Sequence, residues 1–277
     1  AGMATVQAGL ASIEVSNLAP GNYTLEARFQ GTNGYLASRA EATFQIRPLI
    51  SLRQAASGAA ELAPSSLASL YGSSLALATI SNTAGDLPLT LGGVSVTIED
   101  SQSRRFPAAL TFVSSTQLNL LIPDGLAAGI ATVSVNRNGL LVGQGTVILR
   151  PVAPGLFTMN GSRLPAGLVS WRTKSGQSFN QFVFDCSVAC RENPVLLGEE
   201  TEEAVLTLFG TGWRNAREAF SARIGGEVSR VLYAGAQNSF PGLDQVNIQL
   251  NVTRKGRLAI ELAADGQRLN AVDILLQ

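Results

Sequence analysis

The spacing of apolar residues constrains this chain more than any other feature. Over short runs they alternate with polar residues at a period of two, and turn-forming clusters break the runs every roughly 8–15 residues. In Tyr23-Thr24-Leu25-Glu26-Ala27-Arg28-Phe29-Gln30 the odd-numbered positions are apolar and the even-numbered ones polar. Successive strand side chains point to opposite faces, so this run predicts a half-buried strand with Tyr23, Leu25, Ala27 and Phe29 directed inward. It follows the turn cluster Ala19-Pro20-Gly21-Asn22, and such residues favour a corner. The run Ala42-Thr43-Phe44-Gln45-Ile46-Arg47 repeats the pattern and stops at Pro48. Three or four strands are expected within residues 1–48.

Further strands are predicted at Leu67–Tyr71, Val94–Glu99, Ala108–Val113, Gln117–Ile122, Ala131–Asn136 and Gly145–Arg150. The small-residue stretch from Ala55 to Ser69 reads as a domain junction rather than a helix. Ala166–Trp171 and Ser178–Asp185 read as a hairpin around Lys174-Ser175-Gly176. The chain then continues through strands near Val205–Phe209, Val228–Ala234, Gln245–Leu250, Leu258–Ala263 and Ala271–Leu276. Short strands at even spacing, with no long amphipathic helix, predict an all-β sandwich architecture.

An internal repeat organises the chain. Thr116-Gln117-Leu118-Asn119-Leu120-Leu121-Ile122 matches Asp244-Gln245-Val246-Asn247-Ile248-Gln249-Leu250. Gly129 and Gly139 match Gly256 and Gly266, and Val147-Ile148-Leu149 matches Ile274-Leu275-Leu276. Upstream, Ser69-Leu70-Tyr71-Gly72 resembles Thr207-Leu208-Phe209-Gly210, and Leu91-Gly92-Gly93 resembles Ile224-Gly225-Gly226. Matches preserved in order indicate a tandem duplication. Leu118, Leu120, Val133 and Val135 are therefore expected to be buried in one copy, and Val246, Ile248, Ile260 and Leu262 in the other. The expected units are residues 1–50, 51–150 and 151–277, the last with an added N-terminal hairpin.

Composition narrows the chemistry. Twenty basic and twenty acidic residues cancel in a chain of 277 residues, so no net field draws it to nucleic acid. No apolar run approaches the ~20 residues of a membrane span. Histidine is absent, which removes Ser-His-Asp and Cys-His arrangements and imidazole metal sites. Tyr71-Gly72-Ser73-Ser74-Leu75 is not a nucleophile elbow. No cofactor or metal motif is present. The opening residues lack the basic start and apolar run of a signal peptide and read as the middle of a β domain, so a fragment of a longer protein is expected.

Two resemblances follow from these residues. Residues 1–48, with Leu18-Ala19-Pro20-Gly21-Asn22-Tyr23-Thr24-Leu25 leading into the first strand, resemble the second half of a bacterial immunoglobulin-like repeat. Residues 51–277 resemble a C-terminal domain of unknown function of secreted acidobacterial proteins. The motifs are Ala153-Pro154-Gly155-Leu156-Phe157-Thr158, Leu208-Phe209-Gly210-Thr211-Gly212, Ile224-Gly225-Gly226, Val231-Leu232-Tyr233-Ala234-Gly235 and Gly242-Leu243-Asp244-Gln245-Val246-Asn247. One departure is Asn251, where that family has Pro and where the first repeat keeps Pro123. Each repeat is also similar to the transcription-factor-type immunoglobulin (IPT/TIG) domain. These resemblances imply tandem immunoglobulin-like sandwiches placed outside the cell, and no activity.

In an exported protein Cys186 and Cys190, the only cysteines, favour a disulfide across a very short loop. Two reduced thiols or half of a metal site are the alternatives. Closing so short a loop contributes about 2 kcal/mol or less. Glu199, Glu200, Glu202 and Glu203 read as a solvated acidic loop, because no carboxylates interleave with Gly and Asn as a calcium loop requires. Trp213, Arg214, Tyr233 and Phe240 form the candidate ligand surface, on the ground that flat aromatic faces suit sugar rings. Core packing is the competing reading for Trp213. Without His, carboxylate pairs, Lys and Tyr remain for acid–base chemistry; Asp124, Asp244 or Asp265 paired with a Glu is the glycoside-hydrolase-type arrangement, although these aspartates sit at predicted turns. Asn22, Asn160-Gly161-Ser162 and Asn251 sit in glycosylation sequons.

The sequence thus points to a non-catalytic structural or scaffold module of a larger secreted or cell-surface bacterial protein. A carbohydrate- or protein-binding adhesion module, with an extracellular glycan or protein as partner, is the second reading. A carboxylate-based hydrolase is the third.

Overall fold

The computed structural model describes residues 2–16, 18, 21–46, 48–82, 85–161 and 163–277. Ala19 and Pro20 of the first turn, Arg47 at the end of the second run and Ser162 of one sequon lie outside the described residues. Contacts divide the chain into two units, Ala1–Pro48 and Leu49–Gln277.

The first unit is a hairpin of β1 (Gly21–Phe29) and β2 (Ser38–Ile46). Its register sets Tyr23 opposite Phe44, Leu25 opposite Ala42 and Ala27 opposite Ala40, so the apolar positions share one face, as the alternation predicts. Tyr23 and Phe44 stack with ring centroids 5.6 Å apart. On the other face Glu26 pairs with Arg28 and Arg39, and Arg39 with Glu41. Two expectations are corrected. Among the described residues there are two strands rather than three or four, beside isolated bridges at Gln7–Leu10 and Thr32–Tyr35. The inward-facing set is not buried, since Leu25 is 49% exposed and Phe29 is exposed too. Alternation chooses a face, but burying it takes a second layer that a two-stranded hairpin does not supply.

Residues from Leu49 onward form two sandwiches. The first contains β3 (Ser51–Gln54), β4 (Glu61–Leu62), β5 (Leu67–Tyr71), β6 (Ile80–Ser81), β7 (Thr90–Leu91) and β8 (Val94–Glu99). It continues with β9 (Arg105–Val113), β10 (Gln117–Leu121), β11 (Gly129–Arg137) and β12 (Leu140–Leu149). The pairing order is β3-β5-β10-β9-β8-β11-β12-β4. β9 belongs to both layers, because its start pairs with β8 and its end with β10. The stretch read as a junction is already part of this sandwich, since β3 pairs with β5 and β4 with β12.

The second sandwich opens with β13 (Gly155–Leu156), a short 3-10 turn at Met159–Gly161, and the hairpin β14 (Gly167–Thr173) and β15 (Ser178–Phe182). A small hairpin of β16 (Phe184–Asp185) and β17 (Arg191–Glu192) follows. Then come β18 (Thr201–Thr211), β19 (Ser221–Ile224), β20 (Glu227–Ser229), β21 (Val231–Ala236), β22 (Asp244–Gln249), β23 (Gly256–Ala264), β24 (Gln267–Arg268) and β25 (Val272–Leu276). One layer runs β15-β14-β18-β22-β21, and the other places β20, β19, β24 and β25 around β23. The buried apolar residues form two clusters, one drawn from residues 50–149 and one from 152–276.

The repeat-related strands share their registers. Leu118 lies opposite Leu70, and Val246 opposite Leu208. Gly129 lies opposite Leu149, and Gly256 opposite Leu276. Leu118, Leu120, Val133 and Val135 are buried, as are Val246, Ile248, Ile260 and Leu262. Asn138-Gly139 and Asp265-Gly266 are two-residue hairpin loops in which both residues have positive φ, at 50° and 81° in one and 48° and 74° in the other. This is the I′ geometry that matches strand twist.

One proposed match is corrected. Gly92-Gly93 joins β7 to β8, whereas Gly225-Gly226 joins β19 to β20. Ile98 of β8 lies opposite Val133, and Ile224 of β19 opposite Ile260, so β19 takes the place of β8. The second glycine pair therefore corresponds to the turn after β8, not the one before it. Two glycines at positive φ close any tight hairpin, so they report a turn type and not a position.

Candidate functional site

The expected ligand surface does not assemble. Trp213 is 1% exposed and packs edge-on against Phe220, with centroids 5.8 Å apart. It belongs to the core of the second sandwich, so the expectation that it offers a sugar-stacking face is corrected. The chain turns sharply at Gly212, whose φ is +90°, and this turn swings the indole inward. Its Nε1 is the one buried side-chain polar atom without a partner among the described residues. Arg214 is committed to Asp244 at 2.7 Å. Tyr233 is 40% exposed on β21, with its hydroxyl donating to the Ala236 carbonyl. Phe240 is 65% exposed in the turn before β22.

Residues beside them in the chain, Thr211 and Asn215, together with Ala153, Gly155 and Gly242, form a joint between the sandwiches. The Thr211 hydroxyl accepts from the Leu67 backbone N–H at 2.9 Å and donates to the Gly242 carbonyl at 2.7 Å. Thr211 is fully buried. The Asn215 amide donates to the Pro64 carbonyl at 3.2 Å. Gln54 of β3 donates to the Ala153 carbonyl and accepts from the Ser57 hydroxyl at 2.5 Å. Ala153 N–H in turn donates to the Gly212 carbonyl at 3.0 Å. A Cβ on Gly212 would stand 2.0 Å from the Ala153 oxygen, and one on Gly210 2.2 Å from the Gly155 oxygen. Only glycine permits backbones to approach this closely. Sequence reading missed Gln54, Thr211 and Asn215. The glycines of the Leu208–Gly212 motif were the available signal, because paired glycines inside a strand mark close backbone approach.

The carboxylates serve loops. Burial pushes the Asp244 carboxyl upward, although it accepts from Trp213 N–H at 2.8 Å and from Arg214. Burial also pushes Asp100 upward, but bonds from Ala127, Arg104 and Gln102 outweigh it and hold that carboxyl well below the usual range. Asp265 accepts from the Arg217 and Glu218 backbone N–H groups. Asp124 accepts from the Ser65 hydroxyl. Glu202 and Glu203 flank Arg172 at 3.3 and 3.8 Å. Among the described residues no cluster of three Asp, Glu or Cys side chains is set to hold a metal.

Cys186 and Cys190 are joined in a disulfide at the tip of the β16–β17 hairpin. Surface cavities lie in this unit. One of about 500 Å³ is lined by Ser57 and Gly58 of the first sandwich and Thr158, Arg163 and Asn270 of the second. Two more, of about 660 and 340 Å³, lie in the second sandwich. Among the described residues no helix is long and apolar enough to cross a membrane.

Fold and joint define a chain of tandem immunoglobulin-like β-sandwiches. No protein-family model matches the sequence, and no curated protein matches it. Among solved structures it is similar to SGBP-B of the Bacteroides ovatus mixed-linkage glucan utilization locus, in complex with a mixed-linkage heptasaccharide. The identity is 13% and the TM-score 0.35 over 97% of this chain. The chain spans 59% of that protein's length. It is also similar to the Escherichia coli adhesin FdeC, at 12% identity and TM-score 0.23 over 88% of this chain and 70% of that one. Domains 5-6 of the S-layer protein SbsC match at 12% identity and TM-score 0.26, over 83% of this chain and 98% of that one. None of these likenesses carries a ligand or an activity over to this chain.

Proposed function

We propose that this chain is a non-catalytic structural module, a rigid spacer or scaffold segment of a larger bacterial protein that is secreted or held at the cell surface. The joint carries this reading. Domains on one chain move relative to each other by default unless their interface fixes them. Here β12 ends at Leu149 and Ala153 already bonds to Gly212, so little free linker remains between the sandwiches. The motifs around Ala153 and Gly242 set Gly155 against Gln54 and Gly242 against Leu67 and Leu121 of the first sandwich, and the Ala153 carbonyl and Thr211 hydroxyl bond across the contact. The disulfide supports an oxidising compartment. Under this reading residues 51–150 and 151–277 are successive domains of the type found at the C-termini of secreted acidobacterial proteins. Residues 1–50 are then part of a bacterial immunoglobulin-like repeat.

Calorimetry and limited proteolysis of the whole chain test the spacer. Residues 49–277 are expected to melt in one transition and to resist cleavage between residues 150 and 155. Two separated transitions, or early cleavage there, would overturn a rigid joint. Turnover of a glycoside or ester panel, lost on one Asp or Glu substitution, would overturn the non-catalytic assignment.

A further inference from the structure

The two sandwiches close the same end in different ways. In the first, Phe106 lies opposite Ile98 and packs on the core. The Arg104 guanidinium lies 5.5 Å from the centre of its ring. Leu126, from the turn after β10, is 7% exposed and completes an apolar plug. In the second, the position opposite Ile224 that corresponds to Phe106 is Glu227. The turn after β22 begins with Asn251 in place of Pro123 and sets Arg254 against Glu227. An ion pair thus stands where the first copy has aromatic and aliphatic side chains. Beneath it is the cavity of about 340 Å³, floored by Ile224, Leu250 and Leu258, a volume within the range of small-ligand pockets.

We propose that this open end binds a small hydroxylated carboxylate, a uronic acid being the simplest case. Glu227 and Arg254 neutralise each other, and the second Arg254 nitrogen donates to the Gly225 carbonyl at 3.1 Å. Arg230 lines the same cavity, and its guanidinium makes no ion pair or hydrogen bond among the described residues. The rim therefore offers one uncompensated positive charge, which suits a monoanion better than a phosphate dianion. A guanidinium matches a carboxylate in bidentate geometry. The Asn251 side-chain oxygen accepts from Thr253 N–H and hydroxyl, so its NH₂ remains to donate to a ligand hydroxyl, beside Ser229. The aliphatic floor accommodates C–H groups. No aromatic residue lines the cavity, so recognition rests on charge and hydrogen bonds, and neutral sugars are disfavoured.

The test is titration of the whole chain with sodium glucuronate, followed by amide NMR shifts at Glu227, Arg230 and Asn251. Glucose, acetate and phosphate serve as comparators. Saturable shifts are expected with glucuronate, with each comparator at least roughly tenfold weaker. Arg230→Gln, at an exposed position, is expected to weaken binding by roughly tenfold. Glu227→Phe restores the plug and is expected to abolish binding while the melting temperature is kept. Absent shifts at these residues, equal binding of glucose, acetate or phosphate, or full affinity in Arg230→Gln would each overturn the proposal.

Discussion

In the first sandwich β9 crosses from one layer to the other as one unbroken strand. In the second the same path is taken by β20 and β21, which part at Arg230. The turn before this path is a loop pinned by Asp100 in the first copy and a bare Gly225-Gly226 pair in the second. Registers elsewhere are shared. The comparison shows that duplicated cores tolerate little change, since a one-residue slip turns buried side chains out to solvent. Ends and edges are free to diverge. The first copy used that freedom to close its end, and the second used it to dock on its neighbour through Thr211 and Asn215 and to open a cavity at Glu227.

The largest expected effect separates the joint from an ordinary turn. Gly212 and Gly139 both have positive φ, at 90° and 81°, but a Cβ meets the Ala153 oxygen at the first and nothing within 4 Å at the second. Gly212→Val is expected to destabilise by about 4 kcal/mol or more, and Gly139→Val by about 1–2 kcal/mol. Urea midpoints at constant m-value measure both. Equal losses would break the distinction.

A smaller effect distinguishes the matched hairpin loops. Asn138→Ala is expected to cost about 1 kcal/mol, the penalty for holding a left-handed conformation. Asp265→Ala loses the same and also the bonds to Arg217 and Glu218, about 1 kcal/mol more. Thermal unfolding of the two variants compares them directly. If Asn138→Ala costs more, the loops are not energetic counterparts.

The smallest effect lies in the pH dependence, where the buried carboxyls have opposite signs. Asp100 is depressed when folded. Its contribution is full above an unfolded value of about 3.9 and is lost as pH falls toward its folded value. Asp244 is raised when folded, so its contribution declines as pH rises from about 3.9 through its folded value. Asp100→Asn should flatten the acid limb of the stability curve, and Asp244→Asn should remove the decline at higher pH. Unfolding free energies from pH 3 to 7 decide this, and shifts of the same sign would contradict it.

The sequence by itself determined most strand spans from Leu67 onward, the buried faces of the repeated strands and the matched hairpin loops at Asn138-Gly139 and Asp265-Gly266. Val94–Glu99 occupies the predicted span, and the repeat positions around Leu118 and Val246 are buried. This information is local, because alternation and left-handed turn residues act within a few positions of themselves. Tertiary structure alone decided the rest. Tyr23-Leu25-Ala27-Phe29 alternates as cleanly as any strand, yet none of the four is buried, for burial depends on a facing layer. Trp213 follows two glycines and begins a polar stretch, which in sequence is the setting of an exposed loop. It is buried because the backbone at Gly212 runs against Ala153, a residue 59 positions away in the chain. The charge at Glu227 became the rim of a cavity only once Arg254 folded against it, as contacts between distant segments are fixed by the packing of whole layers.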